Sequence, residues 1–224
     1  MLIVTANSKG GVGKSTIAVH IAVSLYDCGF PTALLDTDKQ RSSSQWIAEV
    51  EPQITVRVAD TPENCLSAAQ ELIQSHDFVV ADAPGGLEDL SRTLLILAHL
   101  AIFPISPSIL DVRSVEGATA VLRYAQKING GRPDGILVLN KMRTRDTISQ
   151  ELKVGAPGLG LKVASSVIRD LQAYRDVAQQ GTVVSRFGRK GAQAAADMDA
   201  LFKELLGETV NNMTNDRRQK LANG

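Results

Sequence analysis

An apolar run of strand length, Leu2 to Ala6, leads into the octet Lys9-Gly10-Gly11-Val12-Gly13-Lys14-Ser15-Thr16. From Ser15 to Leu25, apolar residues (Ile17, Ala18, Ile21, Ala22, Leu25) then recur at helical spacing. Strand, glycine-rich turn and helix therefore follow one another in the order that a phosphate-binding loop requires. In such a loop, glycines let successive backbone N–H groups turn around a phosphate, one lysine reaches the terminal phosphates, and a Ser or Thr hydroxyl holds Mg²⁺. Gly13-Lys14-Ser15 supplies that ending. The standard pattern also places glycine where this chain has Ser8, and it gives no role to a lysine at position 9, so the loop is a variant.

Two later segments bring carboxylates to strand ends. Thr32-Ala33-Leu34-Leu35-Asp36-Thr37-Asp38 is an apolar strand closing on acids. In an open α/β sheet such acids face the ligand crevice, where a carboxylate can hold Mg²⁺-bound water or orient an attacking one. His76-Asp77-Phe78-Val79-Val80-Ala81-Asp82-Ala83-Pro84-Gly85-Gly86 reads as a buried parallel strand with Asp82 at its tip, the arrangement that holds Mg²⁺ through water. An isolated aspartate after an apolar run is more often a helix cap. Its place after the glycine loop and Asp38 reverses that reading. A third strand, Gly135 to Leu139, delivers Asn140 and Lys141 to the sheet edge. Guanine-specific proteins carry an aspartate two residues beyond the lysine, where this chain has Arg143, a donor in place of an acceptor, which argues against GTP.

The remaining pattern predicts one α/β domain with a mostly parallel, twisted sheet and helices on both faces. Strands are expected at 2–6, 32–36, 54–58, 77–82, 100–105, 135–140 and 160–165, with helical periodicity between most of them. A length of 224 residues suits a single unit with a sizeable core. Aromatic residues make up only 4% of the chain, too few for a platform that stacks single-stranded bases. The longest apolar stretch, Leu94 to Ile105, is broken by His99 and Pro104 and is too short to span a bilayer, so a cytoplasmic protein is expected. Cys28 and Cys65 lie outside any metal-ligand spacing and read as buried reduced thiols; no role falls to His20, His76 or His99.

Net charge is zero but uneven. Residues 141–190 hold ten Lys or Arg against four acids, leaving fourteen against twenty in the other 174. A basic segment in a neutral chain attracts a phosphate backbone through its local field, although scattered surface charge is commonly no more than a solvated face.

The loop resembles the deviant Walker A box of the ParA/MinD family, K-G-G-x-G-K-[ST], with Lys9 on the position of that family's signature lysine. The resemblance implies an ATPase whose ATP and Mg²⁺ are sandwiched in an ATP-dependent homodimer, Lys9 acting across the interface on the partner's nucleotide. By carry-over, Lys9, Lys14 and Asp38 are the catalytic residues. Gly10, Gly11, Val12, Gly13, Lys14, Ser15 and Thr16 cradle phosphates, and Ser15, Asp38 and Asp82 attend the metal. Asn140 addresses adenine, with Ile168 and Arg169 as a loose match to the family's second adenine-side element. The segment at Asp38 is similar to the family's switch I, with Lys39 replacing a proline and Gln40 kept. Gly188-Arg189-Lys190-Gly191-Ala192 resembles a family segment that contacts DNA, which makes Arg186, Arg189 and Lys190 the expected phosphate contacts, without base specificity.

The implied organisation is a ParA-like ATPase domain over residues 1–206 and a polar, flexible tail over 207–224. Because the loop begins at residue 9, no N-terminal helix-turn-helix domain is expected, as in the short members. The implied function is a nucleoid-associated switch that positions or segregates a plasmid, chromosome or carboxysome-like cargo with a ParB-like or McdB-like adaptor and without a membrane. Two alternatives are a MinD-like membrane-associated positioning ATPase and an ATP-dependent metabolic ligase on the same fold.

Overall fold

A computed structural model of the chain describes residues 1–86, 89–107, 109–143 and 161–223. Seven strands, β1 (Leu2–Asn7), β2 (Thr32–Asp36), β3 (Thr55–Val58), β4 (Phe78–Gly85), β5 (Leu100–Ile105), β6 (Asp134–Met142) and β7 (Lys162–Arg169), form one sheet in the order β3-β2-β4-β1-β5-β6-β7. Every pairing is parallel. The helices are α1 (Lys14–Asp27), α2 (Ser42–Val50), α3 (Pro62–Ser75), α4 (Asp89–Leu97), α5 (Ile109–Ile128), α6 (Gln172–Gln179) and α7 (Gly188–Asn223).

Parallel strands covered on both faces need apolar side chains on both, which is why β1, β2, β4 and β5 are continuous apolar runs. The alternation is strict. Ile3, Leu34, Phe78, Val80, Ile102 and Val138 point to one face, where they pack with α1, α2, α6 and α7. Leu2, Val4, Ala33, Leu35, Val79, Ala81, Phe103 and Leu137 point to the other, against α3, α4 and α5. Connections that step from β1 toward β3 use the first helical layer, and those stepping back toward β6 use the second. One handedness for every crossover requires that segregation.

Local signals agree with these elements. Thr61 caps α3, accepting the Asn64 N–H at 3.2 Å, with Pro62 at the first helical position and Glu63 in the first turn, where the helix dipole favours an anion. The segment from residue 207, expected as a flexible tail, instead continues α7. Val210 and Met213 pack on the core at the spacing that follows Leu206, and Arg217 lies 4.5 Å over the Phe30 ring.

The topology also sets the crevice. β1 and β4 are neighbours, yet the chain leaves β1 for one helical layer and β4 for the other. Where adjacent strands part in this way, a cleft opens at their C-terminal ends, and ligands of open α/β sheets bind there.

Candidate functional site

The glycine loop fills that cleft. Asn7 ends β1 and fixes the loop's start: its Nδ2 donates to the Pro104 carbonyl at 2.7 Å and its Oδ1 accepts the Lys9 N–H at 2.9 Å. Gly11 (φ +74°) and Gly13 (φ +99°) take left-handed backbone conformations that a side chain resists, and Gly13 opens α1. Three donors then hold loop carbonyls: Lys14 Nζ on Lys9 (3.2 Å), Lys141 Nζ on Gly11 (2.6 Å) and Asn140 Nδ2 on Val12 (2.7 Å). β4 closes the other side, so near that a Cβ on Gly85 would stand 3.6 Å from the Gly10 backbone and 3.8 Å from Lys14 Nζ.

The cavity above the loop measures about 790 Å³. Gly10, Gly11, Gly13, Lys14, Ser15 and Thr16 form its floor, with Asp38, Lys39 and Gln40 after β2 and Gly85 at the end of β4 on its sides. Trp46 and Glu49 of α2, Ala178 of α6 and Lys141 complete the wall. The N-terminus of α1 faces this space with no side-chain cap on Gly13 and no acid in its first turn, an end whose N–H groups and dipole suit an anion.

Charge at the base of the cleft is poised for ligands. Lys14 is buried, and loss of solvent lowers its pKa against the opposing pull of Asp82 and Asp38. The Asp82 carboxyl is wholly buried; burial raises its pKa to about 6, with Asp36 adding to the rise and Ser15, Ser43 and Lys14 opposing it. Thr5 Oγ1 donates to Asp82 Oδ1 at 3.3 Å, while Asp82 Oδ2 and Ser43 Oγ have no hydrogen-bond partner among the described residues. Asp36 differs, because its two oxygens accept the N–H groups of Asp38 (3.0 Å) and Ser44 (2.8 Å) and thereby hold the start of α2. Asp38 is half-exposed at the cavity, its Oδ1 on the Gln40 N–H at 2.9 Å.

An orphaned carboxylate oxygen beside Ser15 fits Mg²⁺. Among the described residues no three His, Cys, Asp or Glu side chains are gathered to hold a metal alone. A Mg²⁺ here would therefore share the Ser15 hydroxyl, water held by Asp82 or Asp38, and nucleotide phosphates, which is the manner in which this reluctantly dehydrated ion is bound. It would supply charge neutralisation at the terminal phosphates.

The expected site residues separate into two groups. The structure brings the loop residues, Asp38 and Asp82 together. Lys9 is half-exposed at the loop and does not line the cavity. Asn140, expected at the base, has both ends of its amide in use, Nδ2 on Val12 and Oδ1 accepting the Lys141 N–H at 2.9 Å. In this structure it is a brace for the loop. Ile168 is buried in the core and Arg169 is paired with Asp197 of α7 at 2.7 Å; neither lines the cavity. Arg189 and Lys190 are exposed in the first turn of α7, whereas the Arg186 guanidinium is taken by Asp27 (2.6 Å), Glu51 (2.9 Å) and the Val50 carbonyl (3.0 Å). Arg145 and Lys153 of the basic segment lie outside the described residues. Sequence reasoning missed Asn7, Trp46 and Lys141 as parts of the site. The signal for Trp46 was its being the chain's single tryptophan, which carried no position in space.

A glycine loop at the end of a central parallel strand, a lysine opening the next helix and a buried acid on the neighbouring strand define a P-loop nucleotide-binding protein. Within that class the chain belongs to the CobQ/CobB/MinD/ParA nucleotide-binding domain family, whose model matches residues 3–218. It is 29% identical over 208 residues to the maintenance of carboxysome distribution protein A of Halothiobacillus neapolitanus, covering 90% of this chain and 94% of that one. Among solved structures, the ATP complex of Cyanothece McdA superposes with a TM-score of 0.70 at 16% identity, over 92% of this chain and 96% of the other. The septum site-determining protein MinD of Pyrococcus horikoshii, complexed with Mg-ADP, gives 0.69 at 20% identity, over 93% and 98%. These likenesses place the chain among nucleotide-binding domains of the ParA/MinD positioning-ATPase type. No described helix is long and apolar enough to cross a membrane.

Proposed function

We propose that the chain is an ATP-hydrolysing switch that dimerises around ATP and Mg²⁺, binds DNA without sequence preference, and positions a cargo in the cytoplasm on the nucleoid with an adaptor protein. The observation that carries the reading is the two-lysine loop. Lys14 lies inside the cavity, against Asp82 and Asp38, where it would neutralise the β/γ-phosphates of its own nucleotide. Lys9, on the same loop, does not line that cavity, and by the family resemblance it would act on a second protomer's nucleotide. Ser15 and Asp82 would hold Mg²⁺, and Asp38, half-exposed at the mouth, would orient the hydrolytic water. Hydrolysis then times the lifetime of the dimer, and the exposed Arg189 and Lys190 hold DNA phosphates only while it lasts. The carboxysome-distribution relative, matched along nearly its whole length, favours a protein-compartment cargo over a plasmid.

The test is ATP turnover, dimerisation and binding to random-sequence duplex DNA for wild type, Lys14→Ala and Asp38→Ala. Lys14→Ala should lose all three. Asp38→Ala should dimerise with ATP and bind DNA, yet hydrolyse at least about tenfold more slowly. Wild-type turnover by Asp38→Ala would remove the role given to that residue. DNA affinity that stays flat as salt rises would remove the phosphate contact.

A further inference from the structure

The floor and one wall of the nucleotide cavity are bonded to elements outside it. Thr16, in the first turn of α1, places its carbonyl 2.7 Å from His20 Nδ1, and His20 Nε2 accepts the Val184 N–H at 3.2 Å. A single neutral tautomer serves both contacts, with the proton on Nδ1. Trp46, on the α2 wall, donates its indole N–H to the Thr182 carbonyl at 2.8 Å. The buried imidazole stands edge-on to Trp46 at 5.5 Å and to Tyr174 at 5.9 Å between ring centroids. Tyr174 in turn donates its hydroxyl to the Ala194 carbonyl of α7 at 2.9 Å.

These bonds converge on one short stretch of chain. Thr182 and Val184 lead through a single 3-10 turn (Val184–Arg186) into α7. The first turn of α7 rides directly on that stretch, since a Cβ on Gly191 would meet the Val184 carbonyl at 2.7 Å. Arg186, Arg189 and Lys190 sit on these same residues, so whatever moves Val184 moves them.

We infer that the His20–Trp46–Tyr174 cluster couples occupancy of the nucleotide cavity to the position of the basic turn Arg186–Lys190, with His20 and Tyr174 as positioning residues. The inference rests on the proposed reading of the chain as a nucleotide-controlled DNA-binding switch. Its physical basis is the absence of slack. Losing the buried His20–Val184 bond strands a polar group, and the part-buried Trp46–Thr182 and Tyr174–Ala194 bonds tie the rings packed on His20 to the same region, so the cluster shifts as a unit between packed arrangements. It also has a partner on each side, the requirement for an element that both sites can bias. A cluster that merely fills the core would set the melting temperature and nothing else.

The experiment uses the full chain, with Tyr174→Phe and His20→Gln beside wild type. Amide hydrogen exchange over residues 180–195 and the emission of Trp46, the only tryptophan, are followed with and without ATP and Mg²⁺. Affinity for random-sequence duplex DNA is measured with ATP and with ADP. In wild type, ATP should change both the exchange and the emission. Tyr174→Phe keeps its ring and should keep ATP affinity within about threefold, while its ATP-over-ADP ratio of DNA affinities falls about fivefold or more, the scale of a coupling free energy. The exchange response over 180–195 should shrink with it. An unchanged ratio and response in both variants, or no response in wild type, overturns the coupling. If wild type shows the exchange response, lost in Tyr174→Phe, but binds no DNA in any nucleotide state, the coupling stands and the DNA reading falls. Should His20→Gln fail to fold, Tyr174→Phe carries the test.

Discussion

The two ends of strands β1 and β4 are built on opposite principles. At their N-terminal ends polar groups are paired. The Met1 ammonium donates to the Asp77 carbonyl at 2.6 Å and the Leu2 N–H to His99 Nδ1 at 3.1 Å, while the Arg217 guanidinium pairs with the Asp77 carboxylate and donates to the Gly29 carbonyl at 3.1 Å. Toward their C-terminal ends, Asp82 Oδ2 of β4 and Ser43 Oγ of the adjoining α2 are buried without hydrogen-bond partners among the described residues. Local consistency at one end and its violation at the other separate a region selected for stability from one that a ligand completes.

Removing the loop's freedom should break the contrast most sharply. A Cβ on Gly13 would lie 2.1 Å from Asn140 Nδ2, on a backbone with φ of +99°. Gly13→Ala must therefore shift the Asn140 brace and strain the start of α1, and we expect ATP affinity to fall about 100-fold or more, equivalent to roughly 3 kcal/mol. Gly10 is the control, because nothing lies within 4 Å of a Cβ there. Gly10→Ala should leave the ligand-free melting temperature unchanged. Calorimetric titration with ATP that finds Gly13→Ala within tenfold of wild type would mean that the loop rearranges freely.

That brace marks where sequence reading stopped. Buried parallel strands are continuous apolar runs, so β1, β2 and β5 were legible almost to the residue, while β4 runs on from the expected 82 to Gly85 through Pro84, which does not look like strand. β7 extends to Arg169, beyond the expected 165, because Ser165 and Ser166 look unlike a buried strand; their N–H groups are instead paired with the Glu204 carboxylate of α7 at 2.6 and 2.7 Å. The same separation hid the end of α7. Leu206, Val210, Met213 and Arg217 share one face, but one apolar residue per turn is indistinguishable from a polar tail until Phe30 and Asp77 are known to lie beneath. Asn140 at a strand end is expected at the adenine from the family resemblance; its bond to the Val12 carbonyl, and the missing Cβ of Gly13 that leaves room for it, join positions 127 apart in the chain and leave no local pattern to read.

Asp82→Asn should sharpen the contrast by giving the two ends a common character. A carboxyl raised from 3.8 to about 6 favours the folded state fully below about pH 4 and loses that contribution as pH rises through about 6. At pH 7 the ligand-free chain thus carries a desolvated charge that costs on the order of 3 kcal/mol. Replacing it with a neutral amide of the same shape should stabilise the ligand-free protein by about 1–3 kcal/mol and slow Mg²⁺-dependent ATP turnover at least about tenfold. Thermal melts across pH 5 to 8 (roughly the neutral range) should diverge most at the alkaline end. A variant that melts lower than wild type at pH 7 while keeping its turnover would show that the Asp82 charge is satisfied by the protein itself.

Arg217→Ala attacks the paired end and carries the smallest effect. The Arg217 side chain is 42% exposed, so its ion pair with Asp77 is screened and worth about 0–1 kcal/mol. Its stacking on Phe30 adds about 0.5–1 kcal/mol, and its stem covers apolar surface at the bottom of the sheet. Truncation should therefore lower stability by about 1–2 kcal/mol, a melting shift of roughly 2–8 °C for a domain of this size. ATP affinity should stay within about twofold, because the clamp lies at the end of the sheet away from the glycine loop. A loss of ATP affinity beyond about fivefold would join the two ends, and the stability of the α7 clamp would then belong to the switch as well as to the fold.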